Sequence, residues 1–303
     1  MLQEFPVWSF STVRRLLRVQ QYVKNLFVFI PAFFGGKLVS FSGLTDLSLY
    51  FLVFCGISSV IYIINDIADR DEDRRHPQKR FRPLASGEVS VRSAAMLAAG
   101  LALVCLLCAL LLFKPAECLV LAAYALLNIL YTFLLKQFAI IDISCIAAGF
   151  VLRAVGGTLV ADLHLSQWLV LMVFLLCMFL ALGKRWDDLR IGNSGEGKPV
   201  RKSISGYTQY FVHSALTFFA TINTICYIMY TLSPQTQQYY GTSLVYLSSF
   251  WVILGNMRYL QVIFVLHKSG APTKILMRDL VMQAIIACWI LHMAVLVYHD
   301  VFF

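Results

Sequence analysis

The sequence predicts an all-α integral membrane protein, a bundle of about nine transmembrane helices. Three observations predict this class: the composition, the length of the apolar runs and the one-sided distribution of basic residues. Of the 303 residues, 59% are hydrophobic and only 14% are charged, whereas a soluble domain carries roughly 25% charged residues. The apolar residues fall into runs of about 20, the length that an α-helix needs to cross ~30 Å of hydrocarbon.

Nine apolar runs are the predicted spans, and together they make residues 1–303 a single transmembrane catalytic domain. Residues 1–24 precede the first span as an arm at the membrane interface, with a short amphipathic helix expected within Ser9–Tyr22. The spans are residues 25–39, 46–65, 92–113, 116–135, 139–160, 167–183, 208–231, 240–264 and 280–300.

Basic residues set the predicted orientation. If the N-terminus is cytoplasmic, all but Lys37, Lys114 and Arg153 of the 25 Lys and Arg residues fall on the cytoplasmic side. The positive-inside rule favours this arrangement, and an odd number of spans places the C-terminus outside the cell (inner) membrane. Two cytoplasmic motif loops, 66–91 and 184–206, also contain acids. Acids contribute little to topology, so their presence indicates a function.

The first acidic group follows the second span. Asp66, Asp69 and Asp73 are spaced i, i+3 and i+7, which places them on one helix face, and Asn65 lies at its edge. Like charges on one face repel each other, and hard oxygen ligands are those that Mg²⁺ prefers. The alternative interpretation is a solvated acidic helix end whose charge the following arginines compensate.

A second acidic pair, Asp187 and Asp188, ends the sixth span. Carboxylates at the same depth on two helices can hold metal ions between them. Bases adjoin both groups, in segment 79–82 and at Lys184 and Arg185. Carboxylates, a divalent ion and many bases describe a diphosphate site. No nucleic-acid partner is expected, because the acids repel it and there is little soluble mass to hold it.

These motifs resemble those of the UbiA superfamily of intramembrane prenyltransferases. Residues 65–73 resemble its NDxxDxxxD signature, and residues 82–87, RPLASG, resemble the segment that follows it there. Four further segments resemble the branch of decaprenyl-phosphate phosphoribosyltransferases: QYVKNL at 21–26, RHPQKRFRP at 75–83, GFVLRAVGG at 149–157 and LGKR at 182–185. The second motif departs from a clean DxxxD. Its family acid corresponds to Asp188, and the additional Asp187 leaves open which of the two binds metal.

The resemblance implies a UbiA-type bundle whose active-site cavity faces the cytoplasm. It implies Mg²⁺-dependent transfer of 5-phosphoribose from phosphoribosyl diphosphate to a long-chain, decaprenyl-type polyprenyl phosphate, with release of diphosphate. Asp66, Asp69 and Asp73 are the expected catalytic residues. The expected metal ligands are these three with Asn65, Asp187 and Asp188. The expected substrate-binding residues are Lys24, Asn25, Lys79, Arg80, Arg82, Tyr131, Lys136, Asp142, Lys184 and Arg185.

Several alternatives stay open at this point. Each phosphate-binding base is equally consistent with a topology signal, and Tyr131 is also consistent with an interfacial anchor. Arg153, inside a span, is a functional candidate by its position or one half of a structural ion pair with another helix. A standard UbiA prenyltransferase, acting on prenyl diphosphate and an aromatic acceptor, uses the same metal motif. A transporter is the remote alternative, and the oligomeric state is not predicted.

Overall fold

The computed structural model describes residues 8–39, 41–75, 79–193, 202–267, 275 and 278–302, and these ranges contain no strand. The loop residues 76–78 and 194–201, which belong to the two predicted motif loops, lie outside the described residues. The α-helices are α1 (Phe10–Leu16), α2 (Ile30–Phe34), α3 (Phe41–Ala68), α4 (Arg70–Arg75), α5 (Pro83–Ser86), α6 (Val91–Leu112), α7 (Pro115–Phe133), α8 (Ile141–Val160), α9 (Gln167–Asn193), α10 (Gln209–Leu232), α11 (Pro234–Tyr240), α12 (Ser249–Phe264) and α13 (Leu280–Phe302). The 3₁₀ segments are Val19–Phe29, Lys37–Val39, Lys79–Phe81, Leu135–Gln137, Lys202–Gly206 and Ser243–Ser248.

Seven helices in the described residues are long and apolar enough to cross a membrane. They are Gly43–Ala68, Val91–Leu112, Pro115–Phe133, Ile141–Val160, Gln167–Arg190, Gln209–Leu232 and Leu280–Tyr298. Each corresponds to one predicted span. The prediction of an all-α, multi-pass membrane protein is therefore confirmed.

The other two predicted spans are not continuous helices. Segment 25–39 consists of 3₁₀ turns and the short α2, which has Pro31 in its first turn and is followed by Gly36 at φ 64°. Proline has no backbone N–H to donate to the preceding turn, so it is tolerated in the first turn of a helix and not in its interior. Segment 240–264 starts at the last residue of α11, passes Gly241 with a φ of 64°, and then forms the 3₁₀ segment Ser243–Ser248, which leads directly into α12. The predicted count of about nine transmembrane helices is thus not confirmed for these two segments.

The N-terminal arm begins with α1 and continues as a 3₁₀ helix. Thr12 and Leu16 of α1 are buried while Arg14 and Arg15 are exposed, which agrees with the predicted amphipathic pattern. The α-helix lies within the predicted stretch and ends at Leu16, before Arg18 adopts a left-handed conformation with φ 51°. From there Val19–Phe29, called here the N-terminal 3₁₀ segment, packs into the bundle.

Helix α8 lies between two hydrophobic cores. One core joins α8 to α9, α10 and α12 through side chains such as Ile143, Phe179 and Ile263. The other joins the N-terminal 3₁₀ segment to α3, α6 and α7. The outer surfaces of α6 and α13 expose apolar side chains, as lipid-facing helices do. The polar groups that remain are gathered mainly at one end of α3, α7, α8 and α9.

Candidate active site

The first acidic group lies where α3 passes into α4. The amides of Asp69 and Asp73 donate to the carbonyl oxygens of Asn65 and Asp69, at 2.9 and 2.8 Å. These i→i−4 bonds continue the helical spacing across the turn at Asp69. Asp66 and Asp73 are both 2% exposed, while Asn65 and Asp69 are partly buried. The helical register assumed from the sequence is therefore present.

Asp66 and Asp73 converge on one guanidinium group. Arg82 Nη1 lies 3.1 Å from Asp66 Oδ1 and 2.5 Å from Asp73 Oδ2. Arg18 also forms an ion pair with Asp66, and Lys79 Nζ lies 3.8 Å from Asp73 Oδ1. Two buried carboxylates thus share a cation, as the one-face spacing requires.

The Asp69 carboxylate pairs with a cation that the connection between α7 and α8 contributes. Lys136, in the short connection between α7 and α8, forms an ion pair with its carboxylate. This contact brings the α7–α8 connection to the end of α3. The sequence had identified Lys136 only as a base at the same membrane surface.

The carboxylates fit a magnesium site that substrate oxygens complete. Within the described ranges, no three His, Cys, Asp or Glu side chains form a metal cluster by themselves. Mg²⁺, however, is typically held by one or two carboxylates together with water and substrate phosphates. Asp66 and Asp73 supply such a pair, because both reach the single position that Arg82 Nη1 occupies.

The second acidic pair divides between two sides of α9. Asp188 Oδ2 lies 2.7 Å from Arg185 Nη1, and Arg185 contacts α8 and is electrostatically coupled to Tyr131 of α7. Asp187 is instead coupled to Tyr259 of α12. Asp188 therefore lies on the side of α9 that faces the helices of the first acidic group.

Arg185 and Asp142 form a buried ionic group with Asp188 and Tyr207, called here the Arg185 group. Arg185 Nη2 lies 2.8 Å from Asp142 Oδ2, and the Tyr207 hydroxyl donates to Asp142 Oδ1 at 2.7 Å. Burial, together with this bond to Asp142, raises the pKa of Tyr207. Asp142 is 0% and Arg185 1% exposed. Both expected substrate residues are therefore buried and already paired within the Arg185 group.

The remaining predicted substrate residues are scattered around the acids. Arg80 and Lys184 are exposed, and the Arg80 guanidinium lies over the ring of Phe81. Tyr131 is half-buried at the end of α7. Lys24 and Asn25 lie on the N-terminal 3₁₀ segment, deeper in the bundle.

Arg153 forms no ion pair within the part of the chain that the structure describes. Its Nε donates to Asn25 Oδ1 at 2.7 Å, Nη1 to Gly149 O at 2.8 Å and Nη2 to the Tyr124 hydroxyl at 2.7 Å. Of the two alternatives left open by the sequence, the structural ion pair is therefore not found among the described residues. Neutral acceptors hold this buried side chain.

The sequence did not predict the ion pair between Arg18 and Asp66. Arg18 was counted only as a topology signal, yet it pairs with Asp66 and lies over the ring of Tyr62, 4.8 Å from its centroid. Its left-handed backbone turns the arm back toward α3. No spacing pattern indicates such a turn. Tyr207 was likewise missed, because only the fold brings it to Asp142.

Carboxylates and bases gather here at one end of several helices in a membrane bundle. This arrangement is typical of an intramembrane transferase that acts on anionic substrates. The UbiA prenyltransferase family matches residues 28–261. The chain belongs to this family.

Curated relatives cover nearly the whole chain. The chain is 32% identical over 295 residues to decaprenyl-phosphate phosphoribosyltransferase of Mycolicibacterium smegmatis, covering 92% of this chain and 90% of the relative. It is 32% identical over 292 residues to the enzyme of the same name in Corynebacterium glutamicum, with 94% and 86% covered. A 4-hydroxybenzoate octaprenyltransferase of Polynucleobacter necessarius subsp. necessarius is 31% identical over 189 residues, with 58% and 64% covered.

Solved structures share the fold. A UbiA homolog from Archaeoglobus fulgidus bound to GPP and Mg²⁺ has a TM-score of 0.70 and 19% identity, covering 94% of this chain and 99% of that one. The predicted UbiA-type helical fold is thereby confirmed.

Proposed function

We propose that this protein transfers 5-phosphoribose from phosphoribosyl diphosphate to a long-chain polyprenyl phosphate, releasing diphosphate. The observation that carries the proposal is the 32% identity to decaprenyl-phosphate phosphoribosyltransferases along 90% of the relative's length. The prenyltransferase relative matches a shorter part of the chain, 58%. The number of bases around the acids also suits substrates that bring three phosphate-containing groups.

The metal proposed for the site is Mg²⁺, held by Asn65, Asp66, Asp69, Asp73 and Asp188. Bound there with the donor's diphosphate, Mg²⁺ supplies neutralisation of the charge that develops on the leaving group. Arg82 and Arg18 now pair with the same acids. In the substrate complex they are placed to exchange part of that pairing for phosphate oxygens.

The protein's contribution to the reaction is to position and neutralise two phosphorylated substrates. The acceptor phosphate is already an anion, so its oxygen attacks C1 of the ribose without a strong general base. The C1–O bond to diphosphate breaks as the new C1–O bond forms. Holding both reactants in this geometry replaces a bimolecular encounter. Exposed Arg80 and Lys184 and half-buried Lys79, Tyr131 and Lys136 are the proposed phosphate contacts at the surface.

The membrane fold places the lipid acceptor beside these charges. Its polyprenyl tail lies among apolar helices, while its phosphate reaches the polar end of the bundle. We assign that end, with the N-terminus, to the cytoplasmic side of the cell (inner) membrane, because the basic residues concentrate there. The whole chain acts as one catalytic unit.

Purified protein incubated with labelled phosphoribosyl diphosphate and polyprenyl phosphate tests the proposal. Transfer of label to the lipid, with release of diphosphate, is the expected result. A parallel incubation contains prenyl diphosphate and an aromatic acid. Prenyl transfer there, without turnover of phosphoribosyl diphosphate, would replace the proposed activity with that of a standard UbiA prenyltransferase.

A further inference from the structure

The α7–α8 connection is linked to both acidic groups. Within it, Lys136 pairs with Asp69 of the first acidic group. Just beyond it, Asp142 in the first turn of α8 pairs with Arg185, which also pairs with Asp188. Helix α7 packs on α3, and α8 packs on α9. The conformation of this connection therefore relates the acids of α3 to the acid of α9.

Ile140, the last residue of this connection, has a strained backbone. Its φ is 69° and its ψ is −49°, and the amide of Ile141 donates to the carbonyl oxygen of Ala139 at 2.8 Å. These features define a γ-turn of the positive-φ form, which is rare and strained. Positive φ is a genuine outlier for a β-branched residue, and such an outlier persists only where the surrounding structure determines it.

A single hydroxyl group holds this turn. The amide of Ile140 donates to the Tyr207 hydroxyl at 2.7 Å, and the same hydroxyl donates to Asp142 Oδ1 at 2.7 Å. The adjacent Gly206 packs on the turn so closely that a Cβ there would lie 2.5 Å from the Cβ of Ala139. The buried segment that ends at Tyr207 is thus fixed against the turn and bonded to both of its sides.

The position of the strain suggests what it is for. The side chain of Ile140 is 52% exposed, so core packing of that side chain does not explain its conformation. Strained backbone of this kind clusters at sites where the placement of neighbouring groups is part of the mechanism. Here the neighbours are Lys136 and Asp142, which lead to different helices. A change of backbone direction at this turn would alter the separation of the two acidic groups.

We propose that Tyr207 is a positioning residue of the reaction. By holding Ile140 in the strained turn, it fixes the two acidic groups at the separation at which both bind one complex of Mg²⁺ and diphosphate. It acts on α9 through Asp142 and Arg185, and on α3 through the turn and Lys136. This inference rests on the function proposed above, because the acids are metal ligands only in that function.

Rescue of one substitution by another tests the proposal. Tyr207→Phe keeps the ring and removes the hydroxyl that holds the turn. The half-saturating Mg²⁺ concentration should rise, and kcat/KM for phosphoribosyl diphosphate should fall, each by about 10- to 100-fold, as for other groups that orient metal ligands. Adding Ile140→Gly should recover about fivefold or more, because glycine adopts positive φ without the strain, and fivefold corresponds to ~1 kcal/mol. A purely structural role would lower stability and leave the Mg²⁺ dependence of the folded protein unchanged.

Two nearby side chains provide matched controls. Tyr210→Phe removes the hydroxyl of a tyrosine that is 83% exposed, and it should change neither value. Ile141→Gly, combined with Tyr207→Phe, places glycine at the adjacent isoleucine, which is 45% exposed and already helical, and it should give no recovery. Unchanged Mg²⁺ dependence and kcat/KM in folded Tyr207→Phe would overturn the proposal. Equal recovery with Ile140→Gly and Ile141→Gly would also overturn it.

Binding of Mg²⁺ with inorganic diphosphate separates this proposal from the function on which it rests. Together they should raise the unfolding temperature of the wild type, raise it less in Tyr207→Phe, and raise it more again when Ile140→Gly is added. This order in a protein that does not turn over phosphoribosyl diphosphate would retain the positioning role and reject the proposed function. Equal shifts in all three proteins would reject the positioning role even where turnover is confirmed. If Tyr207→Phe alone does not fold, a folded double variant that responds to Mg²⁺ and diphosphate supports the proposal, and a double variant that does not fold rejects it.

Discussion

Arg185 and Arg153 are buried arginines on the neighbouring helices α9 and α8, and they are compensated in opposite ways. Arg185 lies between two carboxylates, those of Asp142 and Asp188. Arg153 donates to neutral oxygens, including that of Asn25, and meets no carboxylate among the described residues. By sequence, Arg185 was an expected substrate-binding residue, whereas Arg153 was left open between a functional role and a structural ion pair.

This difference in charge compensation determines which of the two arginines can attract a further anion. A buried cation between two acids is already neutralised, so its contribution is to hold those acids in place. A buried cation among neutral acceptors keeps its field, and that field favours an anion nearby. Charge compensation, which a sequence does not display, separates the two roles.

Breaking the Arg185 group should have the largest effect on stability. Asp142→Ala leaves Arg185 buried with one acid fewer, and removal of one partner of a buried pair costs ~3–5 kcal/mol. Unfolding in detergent, followed by circular dichroism, measures the loss. Arg153→Met should cost less, since Asn25 and Tyr124 both keep Ser58 as a hydrogen-bond partner. An equal or greater loss in Arg153→Met would remove the distinction between the two arginines.

A double variant serves as the control for Asp142→Ala. Asp142→Leu combined with Arg185→Met removes both charges, and apolar replacement of a buried pair is often close to neutral. We therefore expect the double variant to be more stable than Asp142→Ala. If it is as unstable, packing rather than charge explains the loss.

Asp188, which forms an ion pair with Arg185, should matter more for activity than the adjacent Asp187. Asp188→Asn should lower turnover by about 10- to 100-fold, the range typical of groups that hold or orient a metal. Asp187→Asn should lower it less, because Asp188 and not Asp187 corresponds to the acid of the second motif in the family that the sequence resembles. Equal losses, or the reverse order, would show that the second motif has been assigned in the wrong register.

The exposed bases should give smaller effects than the buried ones. Arg80→Ala and Lys184→Ala each remove one charge-assisted phosphate contact, worth ~1.5–3 kcal/mol. Because both side chains are exposed, solvent screening places the expected loss near the lower limit, about tenfold in kcat/KM. Membrane insertion should be unchanged. Near-normal kinetics in both variants would indicate that these two bases contribute to membrane topology and do not bind phosphate.

The pH dependence of donor or acceptor use should report Lys24. Its pKa is lowered to about 8, first by burial and then by Arg153 and Arg18. Lys24 is charged below that pH and neutral above it, so kcat/KM for the substrate that it binds should fall as the pH rises through about 8. The profile of Lys24→Met should lack this step. A step that persists in Lys24→Met belongs to another group.

The sequence was sufficient for the features that repeat along a helix. Apolar runs located seven long helices, and the i, i+3, i+7 spacing correctly placed Asp66 and Asp73 on one face, where they share Arg82. The breaks in the other two spans come from the local backbone geometry at Pro31 and Gly36, within the first run, and at Gly241, at the edge of the run 240–264. Hydropathy averages do not resolve such breaks.

The site's ion pairs depend on contacts between distant segments. Asp142 and Arg185 are 43 residues apart and Tyr207 is 65 residues from Asp142, so no local pattern joins them. Arg18 reaches Asp66 only because a left-handed residue turns the arm. Sequence therefore identified which residues carry the chemistry, and the fold determined which of them remain available for substrate.

Metal dependence tests the central claim most directly, because the proposed chemistry at Asp66 and Asp73 requires a divalent cation. Turnover of labelled phosphoribosyl diphosphate in the presence of polyprenyl phosphate is measured with Mg²⁺, in excess EDTA, and after Mg²⁺ is restored. We expect turnover to disappear in EDTA, to return with Mg²⁺, and to be lost with Mg²⁺ present in Asp66→Asn and Asp73→Asn. Full turnover in excess EDTA, or normal turnover in both variants, would contradict the account.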